Sequence, residues 1–211
     1  MEKSKPSRPL QANPEGVALD AHSESDTNES LGNPDEEIDY AERVAQSIAE
    51  GIQWARTRAN REEPEGQFDL GSLYYHGYDI PQDYAEAANW ILKAAIQGYP
   101  PAQYLLGEMY DKGQGFEKDQ KKAVRWLRKA AKQGDGEAQE SLGLHFYYGW
   151  GLCQNFSKAF VWLTLATLNR QKNSSERSWA AEELSTQALK RAELRAQELH
   201  EEIRARSLRA T

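Results

Sequence analysis

Histidine and cysteine, the residue types most often found in catalytic and metal sites, are few and scattered in this 211-residue chain. The four histidines are His22, His76, His145 and His200, and none has the H-E-x-x-H or a similar ligand spacing. We interpret His76 and His145 as surface or groove side chains. Cys153 is the single cysteine, so neither an intramolecular disulfide nor a cysteine metal cluster can form.

Paired carboxylates and glycine motifs also fail to suggest a reaction. In the pairs Glu62–Glu63 and Glu201–Glu202 the acids are adjacent in sequence, and adjacent residues on a helix do not face one another. The G-x-G motifs at 113–115 and 149–151 follow predicted helices and lack the third glycine and the lysine of a phosphate-binding loop. The sequence therefore predicts that the protein is not an enzyme and has no catalytic residue, cofactor or metal site.

Composition narrows the classes of partner. The formal net charge is −7, whereas a general nucleic-acid binder needs a basic surface to displace phosphate counterions. No apolar run approaches the roughly 20 residues that span a bilayer. The first 20 residues lack the apolar region of a signal peptide. We therefore predict a cytoplasmic protein that binds neither nucleic acid nor membrane.

The N-terminal part of the chain divides into two segments. Residues 1–37 contain nine acids against three bases and no hydrophobic periodicity, which predicts a disordered acidic tail. From Ile38 apolar residues recur at helical spacing, with Asp39 available as an N-cap, and the helix should run to about Asn60. Residues 38–65 are predicted to be an N-terminal capping helix and linker.

The elements that would position any site are set by internal repetition. Six columns of similar residues share one spacing of 36 positions, which chance does not explain. They are Gly71, Gly107 and Gly143; Gly77, Gly113 and Gly149; Ala87, Ala123 and Ala159; Trp90, Trp126 and Trp162; Tyr74, Tyr110 and Phe146; and Asp83, Asp119 and Asn155.

Each unit reads as a pair of helices, A and B. Helix A is predicted at about 67–76, 102–112 and 138–148. The glycine in the middle of helix A costs about 1 kcal/mol relative to alanine, so its recurrence indicates that the partner helix passes too close for a Cβ. The second glycine suits the left-handed residue that ends a helix, and the Asp/Asn column can cap helix B.

These units resemble the Sel-like repeat family, which is related to the tetratricopeptide repeat. The resemblance rests on GQFDLGSLYYHGYDIPQDYAEAANWILKAAIQG (66–98), AQYLLGEMYDKGQGFEKDQKKAVRWLRKAAKQG (102–134) and AQESLGLHFYYGWGLCQNFSKAFVWLTLA (138–166). It implies an all-α fold, an α-solenoid of tandem helical hairpins with helical caps. The implied repeats are 66–101, 102–137 and 138–170. The third lacks the closing A-A-x-x-G, and residues 175–208 look like the capping helices that follow such a unit.

The resemblance implies a protein-interaction adaptor or regulator that binds a protein or peptide in a concave groove lined by helix A. Two alternatives stay open: a bacterial immunity or regulatory protein that inhibits one cognate enzyme, and a hydrolase. Helix A columns not needed for packing within a hairpin supply the candidate groove residues. These are Asp69, Ser72, Tyr75, His76, Leu105, Glu108, Asp111, Lys112, Ser141, Leu144, Tyr147 and Tyr148.

A basic stripe on the second helix B is the other candidate surface. It consists of Lys121, Arg125, Arg128 and Lys132. One interpretation is a solvated outer face. The other is a docking site for an acidic segment, for which residues 1–37 of this chain are one candidate. Because single exposed ion pairs contribute little, only the whole cluster would matter.

Overall fold

The structure is a computed structural model that describes residues 34–78, 80–170 and 174–210. Within these residues the backbone forms nine helices and no strand. The chain divides into two units, Met1–Ala41 and Glu42–Thr211, and the second contains all three repeats. The helices are α1 Pro34–Asn60, α2 Pro64–His76, α3 Tyr84–Ile96, α4 Pro100–Lys112, α5 Gln120–Ala131, α6 Gly136–Tyr148, α7 Phe156–Arg170, α8 Ser175–Glu182 and α9 Thr186–Ala210.

Three helical hairpins, α2–α3, α4–α5 and α6–α7, form the predicted repeats. A Cβ built on Gly107 would lie 2.8 Å from the Leu127 Cγ of its partner helix. Gly71 and Gly143 are equally close to the partner helix in their own hairpins. The predicted reason for the mid-helix glycine is therefore confirmed: the two helices of each hairpin pack where a side chain would not fit.

The predicted caps of helix B are confirmed in all three repeats. Asp83 Oδ1 accepts a hydrogen bond from the Glu86 amide at 3.0 Å, and Asp119 Oδ1 accepts one from the Lys122 amide at 2.9 Å. The Asn155 side chain does the same for the third repeat. Each cap satisfies an amide that has no intrahelical partner. Each helix A also ends at its predicted glycine, which has a left-handed backbone.

Helix A begins two or three residues before its predicted start in every repeat. The observed first residues are Pro64, Pro100 and Gly136, whereas the sequence pattern predicted 67, 102 and 138. Proline lacks an amide hydrogen and has a fixed φ, so it is well tolerated in the first turn of a helix. In the third repeat Asp135 caps the helix, accepting from the Ala138 amide at 2.7 Å.

The N-terminal helix also begins earlier than predicted. α1 starts at Pro34 rather than Ile38, so Asp39 lies inside the helix instead of capping it. A proline followed by acids is a favourable first turn, and the predicted tail therefore loses its last four residues to α1. Residues 1–33 of that tail lie outside the described residues.

The C-terminal end of α1 packs on the first repeat. Ala55 and Ala59 are buried in a small cluster with Leu70. Ala59 lies 36 positions before Ala95, and both are buried. Trp54 lies 36 positions before Trp90 but is 57% exposed, and its ring lies beneath the Arg58 guanidinium at 4.6 Å. The end of α1 thus repeats the buried alanine of helix B but not the packing of its tryptophan.

Two helices close the C-terminal end of the repeats, as predicted. α9 starts at Thr186, and the Ser185 carbonyl accepts from the Leu189 amide at 2.9 Å. Its apolar face is continuous with the core of the second and third repeats and buries Ala192, Ala196 and Ile203. Because a terminal repeat would otherwise expose its apolar face, this helix takes the place of the missing neighbour.

Side-chain amides form a ladder of hydrogen bonds along the three repeats, which the sequence did not lead us to predict. Helix A glutamines accept hydrogen bonds from amide side chains near the end of helix B in the same repeat. The pairs are Gln97 to Gln67 at 2.8 Å, Gln133 to Gln103 at 2.8 Å and Asn169 to Gln139 at 2.7 Å. Both columns keep the spacing of 36, so the repeat itself carried the signal.

The same amides also reach the preceding repeat. Gln103 Nε2 donates to the Ala95 carbonyl at 3.1 Å, and Gln139 Nε2 donates to the Ala131 carbonyl at 3.0 Å. Gln139 is fully buried. A buried amide is costly unless its hydrogen bonds are made, so this ladder favours one register of stacking between neighbouring hairpins.

Candidate functional site

The first two helices A and the start of the third enclose a cavity of about 530 Å³. Half of the predicted groove residues line it. They are Ser72, Tyr75, His76, Leu105, Glu108 and Lys112. The residues come from α2 and α4, whose helix A surfaces lie side by side because the two hairpins stack. The structure thus brings together the N-terminal part of the predicted groove.

Further wall residues were missed by the sequence analysis. Phe68, Pro101 and Tyr104 supply apolar surface, and Asp135 and Glu137 lie at the α6 end of the cavity. Phe68 and Tyr104 are 36 positions apart, as are Pro101 and Glu137. These columns lie on the same helical face as the predicted ones. The periodicity could therefore have found them.

Tyr75 is held in a fixed position at one wall. Its hydroxyl donates to Gln114 Oε1 at 2.7 Å, and Gln114 Nε2 donates to the Tyr84 hydroxyl at 3.0 Å. Burial is the largest cause that raises the pKa of Tyr75 above its ordinary value, so the phenol stays neutral at pH 7. A ring fixed in this way offers contact area at little cost in side-chain entropy.

The charged groups of the cavity are mainly acidic. Lys112 Nζ lies 2.6 Å from Glu108 Oε2, so its charge is already compensated. Asp135 and Glu137 lie at the opposite wall, where Arg170 is 3.7 Å from the Glu137 carboxylate. Burial raises the pKa of the Asp135 carboxyl, with the amide hydrogen bond from Ala138 opposing it. Burial, with Glu108 and Glu137 adding, raises the pKa of the Tyr104 phenol far above its usual range.

A second cavity of about 490 Å³ adjoins the first, between α1 and α2. Ser72 and His76 line both cavities. The walls of the second are mostly apolar, with the predicted groove residue Asp69 among them. The apolar lining comprises Ile48, Ile52, Trp54, Leu73 and Tyr78. The candidate surface therefore extends beyond the repeats onto α1, which the sequence analysis did not predict.

Six predicted groove residues do not line the first cavity: Asp69, which lines the second cavity, and Asp111, Ser141, Leu144, Tyr147 and Tyr148. Tyr147 packs near Trp179 of α8, with ring centroids 6.4 Å apart. The predicted Ser141 lies at the edge, where its hydroxyl donates to Glu108 at 3.4 Å. The cavity reaches only the N-terminal end of α6, whereas Tyr147 lies at the C-terminal end of that helix and packs near α8.

Tyr148 belongs to an exposed aromatic group instead. It stacks on Trp150 with ring centroids 4.6 Å apart, and 44% of its surface is exposed. The prediction for His145 as a surface or groove residue is wrong, because only 3% of it is exposed. Its Nδ1 lies 2.9 Å from the Trp150 carbonyl oxygen. This histidine holds the loop between α6 and α7 rather than facing a ligand.

The other chemistry-bearing residues form no obvious site in the described part of the chain. Cys153 is free and exposed. His76 stacks on Tyr78 with ring centroids 5.0 Å apart. Among the described residues no group of three or more His, Cys, Asp or Glu side chains could hold a metal ion. No helix in the same residues is long and apolar enough to cross a membrane.

All members of the predicted basic stripe are exposed. Lys121, Arg125, Arg128 and Lys132 lie on the side of α5 opposite to its buried face. None of them lines either of the two cavities described above.

The three repeated hairpins match a known family of repeat proteins. The family profile described as Sel1 repeat matches residues 64–99, 100–135 and 136–169. The chain belongs to the Sel1 repeat family. Each matched repeat starts two residues before the predicted boundary, in agreement with the early start of helix A. Sel1 repeat proteins are commonly protein-interaction modules that bind other proteins.

Solved structures place the fold in the same family. A Sel1 repeat protein from Oxalobacter formigenes is 30% identical over 60% of this chain and 54% of that chain, with a TM-score of 0.53. A protective antigen with an SLR fold from uropathogenic Escherichia coli is 25% identical over 80% of this chain and 47% of that chain, with a TM-score of 0.54. This chain thus spans about half the length of either protein. No curated protein sequence matches it significantly.

Proposed function

We propose that this Sel1 repeat protein is a non-enzymatic adaptor that binds a protein segment along the helix A surface of α2 and α4. The observation that carries the proposal is the cavity of about 530 Å³ between these helices, with its aromatic walls and acidic far side. Aromatic anchors in a preformed cleft are typical of protein recognition.

The residues that line the two cavities favour a partner segment with both hydrophobic and basic side chains. Phe68, Tyr75 and Tyr104 offer apolar walls for one large hydrophobic side chain. Three acids, Glu108, Asp135 and Glu137, favour a lysine or arginine beside it, because Lys112 and Arg170 compensate only part of their charge. The apolar cavity between α1 and α2 can take a second hydrophobic residue of the same segment. The partner is therefore a segment with hydrophobic anchors flanked by basic residues.

The test selects peptides from a randomised display library against the immobilised chain and measures the affinity of the selected sequences. We expect hydrophobic sequences with lysine or arginine. Ser72→Trp should weaken binding at least tenfold, because Ser72 lines both cavities and an indole would fill them. Tyr148→Ala is the matched control, since Tyr148 is exposed outside the first cavity.

Two results would overturn the proposal. One is a set of selected peptides that Ser72→Trp binds as well as the unchanged protein. The other is turnover of a generic ester, phosphate or β-lactam substrate that a single substitution abolishes, which would favour the hydrolase alternative. The immunity or regulatory role and the cytoplasmic location stay predictions, as does the absence of nucleic-acid and membrane partners.

A further inference from the structure

An exposed row of basic side chains follows one face of α5. Lys121, Arg125, Arg128 and Lys132 recur at intervals of four, three and four residues, so they share a single helical face. All four are exposed. Residues 120–134 contain six bases and no acid, so this face has no carboxylate of its own to compensate the charge.

The structure extends this row onto α9, which is distant in sequence. Lys132 and Arg206 line one cavity of about 250 Å³. Arg204 and Gln133 line a neighbouring cavity of about 330 Å³. The contact between Gly134 and Ile203 holds the end of the second repeat against α9. We call the combined surface the basic patch, consisting of Lys121, Arg125, Arg128, Lys132, Arg204 and Arg206.

Among the described residues, no ion pair within 4 Å is found for the six side chains of the basic patch. Three other arginines are compensated: Arg58 pairs with Glu63, Arg170 with Glu140 and Arg195 with Glu198. The whole chain nevertheless carries a net charge of −7. The basic patch is therefore a group of neighbouring, uncompensated cations on an acidic chain.

We infer that the basic patch is a second docking surface, and that its occupant is an acidic segment of a partner protein. Charge complementarity identifies the occupant. The row runs from Lys121 to Lys132, or about 16 Å of helix, which matches carboxylates spaced along a single acidic helix or strand. Arginine guanidinium groups bind carboxylates through two parallel hydrogen bonds.

A protein segment fits the surface better than a nucleic acid does. A duplex presents phosphates on a long, uniformly charged rod, and the remaining acidic surface of this chain would repel its flanks. The cavity between α2 and α4 is itself acidic, with Glu108, Asp135 and Glu137. The two surfaces therefore select segments of opposite charge, and an acidic segment has no competing site in the groove.

The test measures binding of a fluorescein-labelled glutamate-rich helical peptide by fluorescence polarisation at low and physiological salt. The same peptide with glutamine in place of glutamate is the neutral probe. In the full chain, R125E/R128E should weaken binding of the glutamate peptide at least tenfold. The matched control is R56E/R61E, which changes the net charge equally at exposed positions of α1 and the turn after it and should change affinity less than twofold.

Three further measurements keep the inference open to refutation. Arg206→Glu alone should weaken binding about threefold, and an unchanged affinity would show that the patch does not reach α9. Equal losses in R125E/R128E and the control, or equal affinity for the glutamine peptide, would overturn the site. A DNA duplex that binds more tightly than the peptide and is released by the same variant would overturn the protein partner. Circular dichroism checks that each variant is folded.

The groove and the basic patch can be tested separately. Ser72→Trp should leave the affinity for the glutamate peptide unchanged, because Ser72 belongs to α2 and not to the basic patch. If Ser72→Trp abolishes glutamate-peptide binding while R125E/R128E does not, the groove is the acidic-segment site and the inference fails. If both variants retain full affinity, a different surface binds the probe, and the inference fails without affecting the proposed groove.

Discussion

Residues at the junctions between repeats are more uniform than residues on the cavity side of the same helices. At the junctions the glutamine column Gln67, Gln103 and Gln139 is identical in all three repeats. On the cavity side the columns vary, as in Ser72, Glu108 and Leu144. A residue that packs neighbouring hairpins together must be the same in every repeat, whereas a residue on the cavity side can differ from one repeat to the next. The comparison separates residues of the framework from candidates for recognition.

The largest expected effect of breaking a junction is at Gly115. An alanine there would overlap the Tyr84 carbonyl oxygen of the preceding repeat and lie 2.9 Å from Ala88 Cβ, in a backbone with φ of +72°. We expect Gly115→Ala to lower the free energy of unfolding by about 3 kcal/mol, measured by chemical denaturation.

Gly98 provides the control for backbone conformation alone. It has φ of +96° but nothing within 4 Å of a built Cβ. Gly98→Ala should therefore lower the free energy of unfolding by only about 1 kcal/mol. Equal losses at the two glycines would mean that the contact between repeats adds nothing.

A second junction prediction concerns the amide ladder. Gln139→Leu keeps a similar volume but leaves the Asn169 amide with only its longer bond to the Gly134 carbonyl, at 3.4 Å, and removes the bond to the Ala131 carbonyl. We expect unfolding to become easier by about 2 kcal/mol, measured by urea denaturation. Gln46→Leu on the exposed face of α1 should stay within about 0.5 kcal/mol. A similarly small change at Gln139 would show that the ladder does not couple repeats.

Changes on the cavity side should alter binding more than stability. Lys112→Ala removes the cation that compensates Glu108, since the two charged groups are 2.6 Å apart. Affinity for a selected basic peptide should rise roughly threefold, and Glu108→Gln should lower it by a similar factor, consistent with exposed ion-pair energies of about 0.2–1 kcal/mol. Isothermal titration calorimetry measures both, and shifts of the same sign would contradict an acidic groove.

The smallest expected effect concerns the pH dependence of stability. Burial raises the pKa of Asp135 in the folded chain, so the native state holds this proton more tightly than the unfolded state. The stability contributed by Asp135 therefore falls as pH rises from the ordinary aspartate pKa, near 4, through the raised folded value. Asp135→Asn keeps a capping oxygen but has no carboxyl to titrate, so it should lack this loss of stability. The loss is expected to be at most about 1 kcal/mol.

Denaturation of both proteins at several pH values between about 4 and 7 tests this prediction. The difference in stability should grow with pH in favour of Asp135→Asn. A difference that stays constant would show that the Asp135 carboxyl does not titrate with a raised pKa.

The helical hairpins were predictable because their causes are local and recur. The glycine at position 107 and the cap at Asp119 need only their own hairpin, and the spacing of 36 shows them three times. Helix starts were less accurate, since the pattern of apolar residues does not mark a first turn that begins with Pro64 or Pro100.

The membership of the surfaces was decided by contacts between segments far apart in the chain. Tyr147 packs near Trp179 of α8, whereas Tyr75, in the same column, lines the cavity between α2 and α4. Packing of α9 against the second repeat brings Arg206 and Lys132 to the walls of the same cavity. Repetition in a sequence specifies what equivalent residues share, but the two ends of a finite stack have different neighbours, and only the tertiary structure supplies them.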